Sequence, residues 1–328
     1  MKKINVGLIG LGVGYYHAVN IKNHKFYNLK MICDIDEKKI KKFKNEFCGV
    51  KFTTNVKDIF QDDDIKLVCI ASYDKDHFDH VISSLKNNKH VFVEKPVCKN
   101  YKEYLQIKKL LEKKKNLEIS SNFVLRGHSS VNKIKRLIDQ NKLGKIYYLE
   151  ADYNYGRIKK IIHGWRSREL NYSVFLGGGI HMFDLIMYFL KNKKILSYQK
   201  INNKIATIST SYKYDDFDLL TLKFDDNCIA KITSNFACVF PHSHFFKIYG
   251  TNGTFFFDHE CEIYAKNING RICVKKRKIT NVNANKKLAL LSFLDFLCNK
   301  KKIPLISKKN LLKITSDSLL INEGKKLQ

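Results

Sequence analysis

The chain has 328 residues and a formal charge of +29, with 44% hydrophobic residues and only three prolines. That length leaves room for about two domains with buried cores, and the composition describes a folded globular protein without long structureless linkers. No stretch of 18 apolar residues occurs, so no membrane span is expected. The lysine excess is dispersed in short runs, with no helix-turn-helix or zinc-finger spacing, so nucleic acid is not an expected partner.

The start of the chain, Met1-Lys2-Lys3 and an apolar run, superficially resembles a secretory leader. A glycine turn interrupts the supposed apolar core, so a cytoplasmic protein is expected instead. The nine cysteines (33, 48, 69, 98, 228, 238, 261, 273 and 298) are odd in number, scattered and without a C-x-x-C pair. This pattern fits a reducing compartment, with neither a disulfide framework nor a zinc site.

Residues 5–9 read as a strand, followed by Gly10, Gly12 and Gly14 and a segment able to turn helical. Glycines at such a turn let a pyrophosphate approach the backbone, and the free N–H groups of the helix start face its charge. The spacing G-x-G-x-G is one residue short of the usual fingerprint, and by itself equally describes any glycine turn between strand and helix. A second strand-like run over 29–34 ends in Asp34, at about the 20-residue offset where a carboxylate grips the adenosine ribose. A carboxylate there repels a 2′-phosphate, which favours NAD; Lys38 and Lys39 pull toward NADP, the alternative cofactor. Tyr15, beside the glycines, is also expected at the cofactor.

Through residue 122, strand-like runs (5–9, 30–33, 51–53, 67–71, 90–93 and 118–120) alternate with helical ones (37–47, 56–60, 77–87 and 101–113). That order predicts a doubly wound parallel sheet with ligands beyond the carboxyl ends of its strands. Ser72, Tyr73 and His77 in one such loop, and Glu94, Lys95 and Pro96 in the next, are therefore expected near the cofactor. From 123 to 328 the pattern changes to a helix over 129–140 and longer strands (146–155, 204–212, 219–224, 230–236, 245–249, 254–258 and 271–275). Closing helices follow over 288–298 and 311–323. This half reads as an α+β domain with a mostly antiparallel sheet.

Two places carry candidate chemistry. Lys95 stands at a buried strand's carboxyl end, where partial burial suits an amine to proton transfer. His181 follows Gly177-Gly178-Gly179 in what reads as the first turn of a helix. There the helix dipole would keep an imidazole neutral and able to act as a base. Asp184 lies on the same side three residues on. Trp165 suits stacking on a sugar ring and Arg166 suits an anionic group; Asn122 and Arg126 are pocket candidates by position. His242 and His244 share a strand face, but no third ligand accompanies them and no metal is expected.

In that order, Gly10/Gly12/Gly14, Asp34, Glu94-Lys95-Pro96 and the triple glycine before His181 resemble the glucose–fructose oxidoreductase/inositol dehydrogenase (Gfo/Idh/MocA) family, along nearly the whole chain. The resemblance implies a Rossmann domain followed by an open-faced sheet domain that contacts substrate and often mediates assembly into dimers or tetramers. It also implies NAD(P)-dependent oxidation or reduction of a sugar, inositol, sugar acid or nucleotide-sugar, with Lys95 and His181 as catalytic residues. One departure stands out: where the family often has an aspartate four residues before that histidine, this chain has Gly177. The alternative reading is a non-catalytic NAD(P)-binding sensor or assembly protein with the same fold.

Overall fold

In the computed structural model, which describes residues 3–191, 193–257, 261–266, 272–277, 287–299 and 301–327, short apolar runs and amphipathic helices alternate as expected at the start of the chain. The elements are β1 (Ile4–Ile9), α1 (Gly14–Lys22), β2 (Tyr27–Cys33), α2 (Glu37–Lys44), β3 (Lys51–Thr53) and α3 (Lys57–Gln61). They continue as β4 (Ile65–Ile70), α4 (His77–Lys86), β5 (His90–Val93), α5 (Tyr101–Lys113) and β6 (Ile119–Ser121). The strands pair in the order β3-β2-β1-β4-β5-β6, all parallel. This is the Rossmann order, whose reversal between β1 and β4 opens a crevice at the carboxyl edge.

The later elements are α6 (Ser129–Asp139), β7 (Ile146–Asn154), α7 (Lys159–Ile162), α8 (Ile180–Phe189), β8 (Ile195–Asn203), β9 (Phe217–Phe224) and β10 (Ile229–Asn235). After them come β11 (Ser243–Gly250), β12 (Gly253–Phe257), β13 (Cys261–Lys266), β14 (Ile272–Arg277), α9 (Leu288–Cys298) and α10 (Lys308–Asn322). A second sheet runs β14-β13-β12-β11-β7-β10-β9-β8. Only its β7–β10 pair is parallel among the described residues.

Contacts divide the chain into two units, Met1–Val124 with Lys286–Ser316, and Leu125–Asn285 with Asp317–Gln328. The closing helices, expected with the second domain, do not stay together. Helix α9 places Leu290, Phe293 and Leu294 in the first unit's core beside Val6, Leu8, Leu29, Ile32 and Phe92. The Tyr27 hydroxyl donates to the Leu294 carbonyl at 2.8 Å. The helix is apolar on most of its circumference, and nothing in such a pattern says which sheet it will cover.

Two strand expectations also change. Residues 204–212, expected as a strand, form turns, and the edge strand β8 lies one segment earlier. Most of β8 is exposed, so the half-buried alternation that marks a strand in sequence is weak there. Strand β13 was not foreseen. The expected ends at Asp258 and Arg271, and Met1, Lys2, Lys286 and Lys300, lie outside the described residues. No helix among the described residues is long and apolar enough to cross a membrane.

Candidate active site

The first unit's turn after β1 is built by backbone geometry. Gly10 has φ +93°, and a Cβ there would run into the Ala71 carbonyl; a side chain is excluded both by conformation and by space. Its N–H donates to the Cys33 carbonyl at 2.8 Å, which ties the turn to the end of β2. Asp34 completes this tie, accepting from the Leu11 N–H at 2.6 Å and the Asp36 N–H at 2.8 Å. Lys39 Nζ stands 3.6 Å from the same carboxylate. At Gly12, by contrast, a Cβ would meet nothing within 4 Å. No side chain caps the start of α1 among the described residues; the Tyr15 and Tyr16 N–H groups reach back to the Gly12 and Val13 carbonyls at 3.4 and 3.2 Å, so the helix start sets no competing side chain beside that open space. The cradle fits a dinucleotide phosphate, which needs these two things together.

Around the cradle the expected cofactor residues separate into two kinds. Tyr73 is exposed in the loop after β4, and Ser72 Oγ lies 3.0 Å from His80 Nδ1. Tyr15 and His77 turn inward. The Tyr15 hydroxyl donates to Glu46 at 2.6 Å, and its ring packs on Phe43 and Phe47. His77 is fully buried, one ring nitrogen 2.7 Å from the Pro96 carbonyl and the other 3.1 Å from the Ser72 carbonyl. Expected to touch cofactor, His77 instead joins the two loops that flank the crevice.

At the end of β5, Glu94 is held by two donors at one oxygen. His17 Nε2 and Asn122 Nδ2 each lie 2.7 Å from Oε1. Burial pushes the Glu94 carboxyl up, but these bonds and the charge of Lys95 outweigh it and hold it below the ordinary range. Asn122, expected at substrate, gives its Nδ2 to this cluster. His17, on the buried side of α1 with Ala18 and Ile21, was not singled out in the sequence; only its position three residues after Gly14 marks it. Lys95 follows in the same loop, half-buried, and its bond to Pro96 is cis.

In the second unit the glycine run behaves differently from the expectation. Phe175–Gly179 is a π-helical turn continuous with α8, and the Gly177 N–H reaches back to the Ser173 carbonyl at 2.8 Å. Ser173 Oγ accepts from the Leu176 N–H at 3.2 Å. The positive end of this helical segment thus lies near Ser173, and His181 sits well inside it. The dipole effect fades within the first turn, so it does not act on His181 as foreseen. The glycines are required by close approach: a Cβ at 177 would strike the Tyr172 hydroxyl, at 178 the Tyr153 ring, and at 179 Ser234 Oγ.

His181 is 7% exposed and stacks on Tyr153, centroid to centroid 6.3 Å. Tyr153, Tyr155, Phe236, His242 and His244 form one aromatic cluster around it. Alternation along β7 brings Tyr153 to the covered face, and the β11 register sets His244 opposite it. Burial, with His242 and His128 nearby, lowers the His244 pKa to about 3, so this imidazole is neutral. Trp165 meets Tyr172 edge-on at 6.4 Å, and Arg166 lies over the Trp165 ring at 4.5 Å. Arg166 Nε donates to the Tyr172 hydroxyl at 3.0 Å.

Arg126 and Asp184, both expected at substrate, are each 1% exposed and joined in a forked ion pair with contacts of 2.7–3.2 Å. Arg126 also lies over the Tyr188 ring at 4.5 Å. Their correction is physical: a guanidinium and carboxylate so deeply buried are spent on each other. Tyr153, Tyr155, Arg157 and Tyr172 carry no motif that marks them in the sequence; only the i, i+2 pair of tyrosines at the end of β7 and just beyond it was a readable signal. Among the described residues no group of three or more His, Cys, Asp or Glu is placed to hold a metal ion.

Residues 4–123 match the family profile described as an oxidoreductase family with an NAD-binding Rossmann fold (GFO/IDH/MocA), and residues 131–256 match its C-terminal domain. A myo-inositol 2-dehydrogenase of Thermotoga maritima is 23% identical over 261 residues, covering 78% of this chain and 75% of that protein. A scyllo-inositol 2-dehydrogenase (NAD(+)) of Bacillus subtilis is 26% identical over 264 residues, covering 77% and 73%. The crystal structure of scyllo-inositol dehydrogenase from Lactobacillus casei, with bound NAD(H) and scyllo-inositol, shares the fold with a TM-score of 0.80 at 21% identity. That match covers 99% of this chain and 97% of that one.

Proposed function

Because the chain belongs to the GFO/IDH/MocA oxidoreductase family and is an NAD(P)-dependent oxidoreductase, we propose that it oxidises or reduces a secondary alcohol of a sugar-like molecule: a sugar, inositol, sugar acid or nucleotide-sugar. The observation that carries this reading is the second unit's buried imidazole, His181, set in a cluster of aromatic rings. Rings of this kind pack on the C–H faces of a carbohydrate, while an imidazole exchanges the hydroxyl proton. The names of the inositol dehydrogenase relatives support the substrate class.

Gly10, Gly12 and the start of α1 would hold the pyrophosphate, with Asp34 toward the ribose and Glu94 at the far edge of the crevice. A nicotinamide bound there would supply the hydride acceptor for a carbinol carbon, or the hydride donor for a carbonyl. His181 takes the alcohol proton at an imidazole nitrogen in the oxidative direction. Lys95 supplies a positive Nζ that stabilises charge on an oxygen and exchanges a proton with it. The Gly177 position does not remove a polar group from the neighbourhood of His181, since the Tyr172 hydroxyl fills that space.

We read Asp34 as favouring NAD, with Lys39 weakening the preference. The protein is further proposed to work as a homo-oligomer in a reducing compartment, where its buried thiols Cys33, Cys69, Cys98 and Cys228 stay reduced. The test is a screen of sugars, inositols, sugar acids and nucleotide-sugars with NAD and NADP, following absorbance of the reduced nicotinamide. Turnover of at least one class, lost in Lys95→Ala, is the expected result. No turnover across the panel in either direction, from protein shown to bind NADH, would overturn the reading.

A further inference from the structure

Two guanidinium groups converge on the aromatic cluster that holds His181. Arg157 and Arg166 each lie 5.7 Å from the centroid of the Tyr155 ring. Tyr155 is 6.2 Å from Tyr153, the ring that stacks on His181. Arg166 is anchored at Nε by the Tyr172 hydroxyl and along its plane by Trp165. The hydroxyl that anchors it sits where a side chain on residue 177 would be, one turn before His181. A position suited to a carboxylate is thus a glycine, and the group reaching into its space is a phenol bonded to a guanidinium.

The charge of both arginines is felt at the centre of the cluster. Burial and the neighbouring Tyr155 push the Tyr153 phenol up, while Arg166 and Arg157 oppose the shift. Arg166 is half-buried against these rings while Arg157 is exposed, and a positive charge partly shielded from water attracts an anion more strongly than the same charge on an open surface. The planar fork of arginine matches the oxygens of a carboxylate or phosphate.

We propose that the substrate of this site is anionic: a monosaccharide bearing a carboxylate or a phosphate ester, whose charged group is held by Arg166 with help from Arg157. This rests on the dehydrogenase reading above and narrows it. The anchored Arg166 supplies direction, and the exposed Arg157 supplies further charge.

The experiment compares a hexose, an inositol, a hexuronic acid and a hexose phosphate as substrates, together with binding of the same compounds by calorimetry in the presence of NADH. The wild-type protein is measured beside Arg166→Lys, Arg166→Gln and Arg157→Gln, each checked for an unchanged thermal melt. Arg166→Lys keeps the charge and most of the packing should Arg166→Gln fail to fold. The expected result is a preference for one of the two acids. Its advantage over the neutral sugars falls roughly 10- to 100-fold in Arg166→Gln, the worth of a charge-assisted hydrogen bond, and less in Arg157→Gln. Whether hexuronate or hexose phosphate is preferred identifies the anionic group. Turnover of neutral sugars with no gain from an acidic group would overturn the proposal and leave the dehydrogenase intact. Arginine-dependent binding of an acid without turnover would do the reverse. Binding and turnover that ignore Arg166 would remove the subsite.

Discussion

The two units build their candidate sites in opposite ways. In the first, chemistry gathers in loops at one edge of a parallel sheet, and the decisive features are backbone ones: the conformation of Gly10, the open space at Gly12, the exposed start of α1. In the second, chemistry lies on the face of a mixed sheet, assembled from side chains of β7, β11, the segment before α8 and α8 itself. A loop site depends on which residues follow one another. A face site depends on strand register and on what is laid over the strands.

The sharpest test of that contrast is functional. Lys95→Ala should lower kcat by roughly 10²- to 10⁴-fold, the usual worth of a positioned acid or base, while NADH still quenches or shifts the protein's fluorescence on binding. His181→Ala should lose turnover on a similar scale. Loss of NADH binding in Lys95→Ala would move that residue from the chemistry into the cradle. In the second unit, Asp184→Ala should cost about 3–5 kcal/mol of stability, because it takes the carboxylate away from the buried Arg126 guanidinium. Thermal or denaturant unfolding measures this. A change below 1 kcal/mol, a surface-pair value, would return Asp184 to the list of substrate residues.

A smaller effect separates backbone from packing. Gly12→Ala should fold as well as the wild type, since the added methyl meets no atom, yet weaken NADH at least tenfold, about 1.4 kcal/mol. Unchanged affinity would mean that the open space is not the phosphate cradle. The smallest effect concerns pH. The folded Glu94 carboxyl is held below its ordinary value, so the unfolded chain takes up this proton first and stability rises with pH through the window. The contribution is complete above the ordinary glutamate value of about 4.3 and is lost as pH falls through the lower folded value. Glu94→Gln should flatten the acid limb of a stability–pH profile; an unchanged limb would show that the His17–Glu94–Asn122 cluster contributes nothing.

Much of the first unit was legible because its signals are local. Strand lengths, the glycine spacing, Asp34 and the loop positions of Ser72, Tyr73, Glu94 and Lys95 all follow from short stretches of chain. His77 and Tyr15 were expected at the cofactor on the same local grounds, and both have partners inside the fold. A residue near a crevice in sequence can still turn inward, and its neighbours across the fold decide that. The second unit was harder. His181 is singled out by its glycines, but the helix was expected to start where a π turn already runs. Arg126 and Asp184 are 58 residues apart, and no periodicity announces that they cancel one another.

By itself the sequence determined the order of elements in the first unit, its parallel sheet and the glycine turn after β1, because backbone sterics and the alternation of apolar residues act over a few residues at a time. Tertiary structure decided which sheet α9 covers, which charged residues are paired and buried, and which rings surround His181. Those outcomes depend on contacts between segments far apart in the chain, and their energies exist only once register and burial are set.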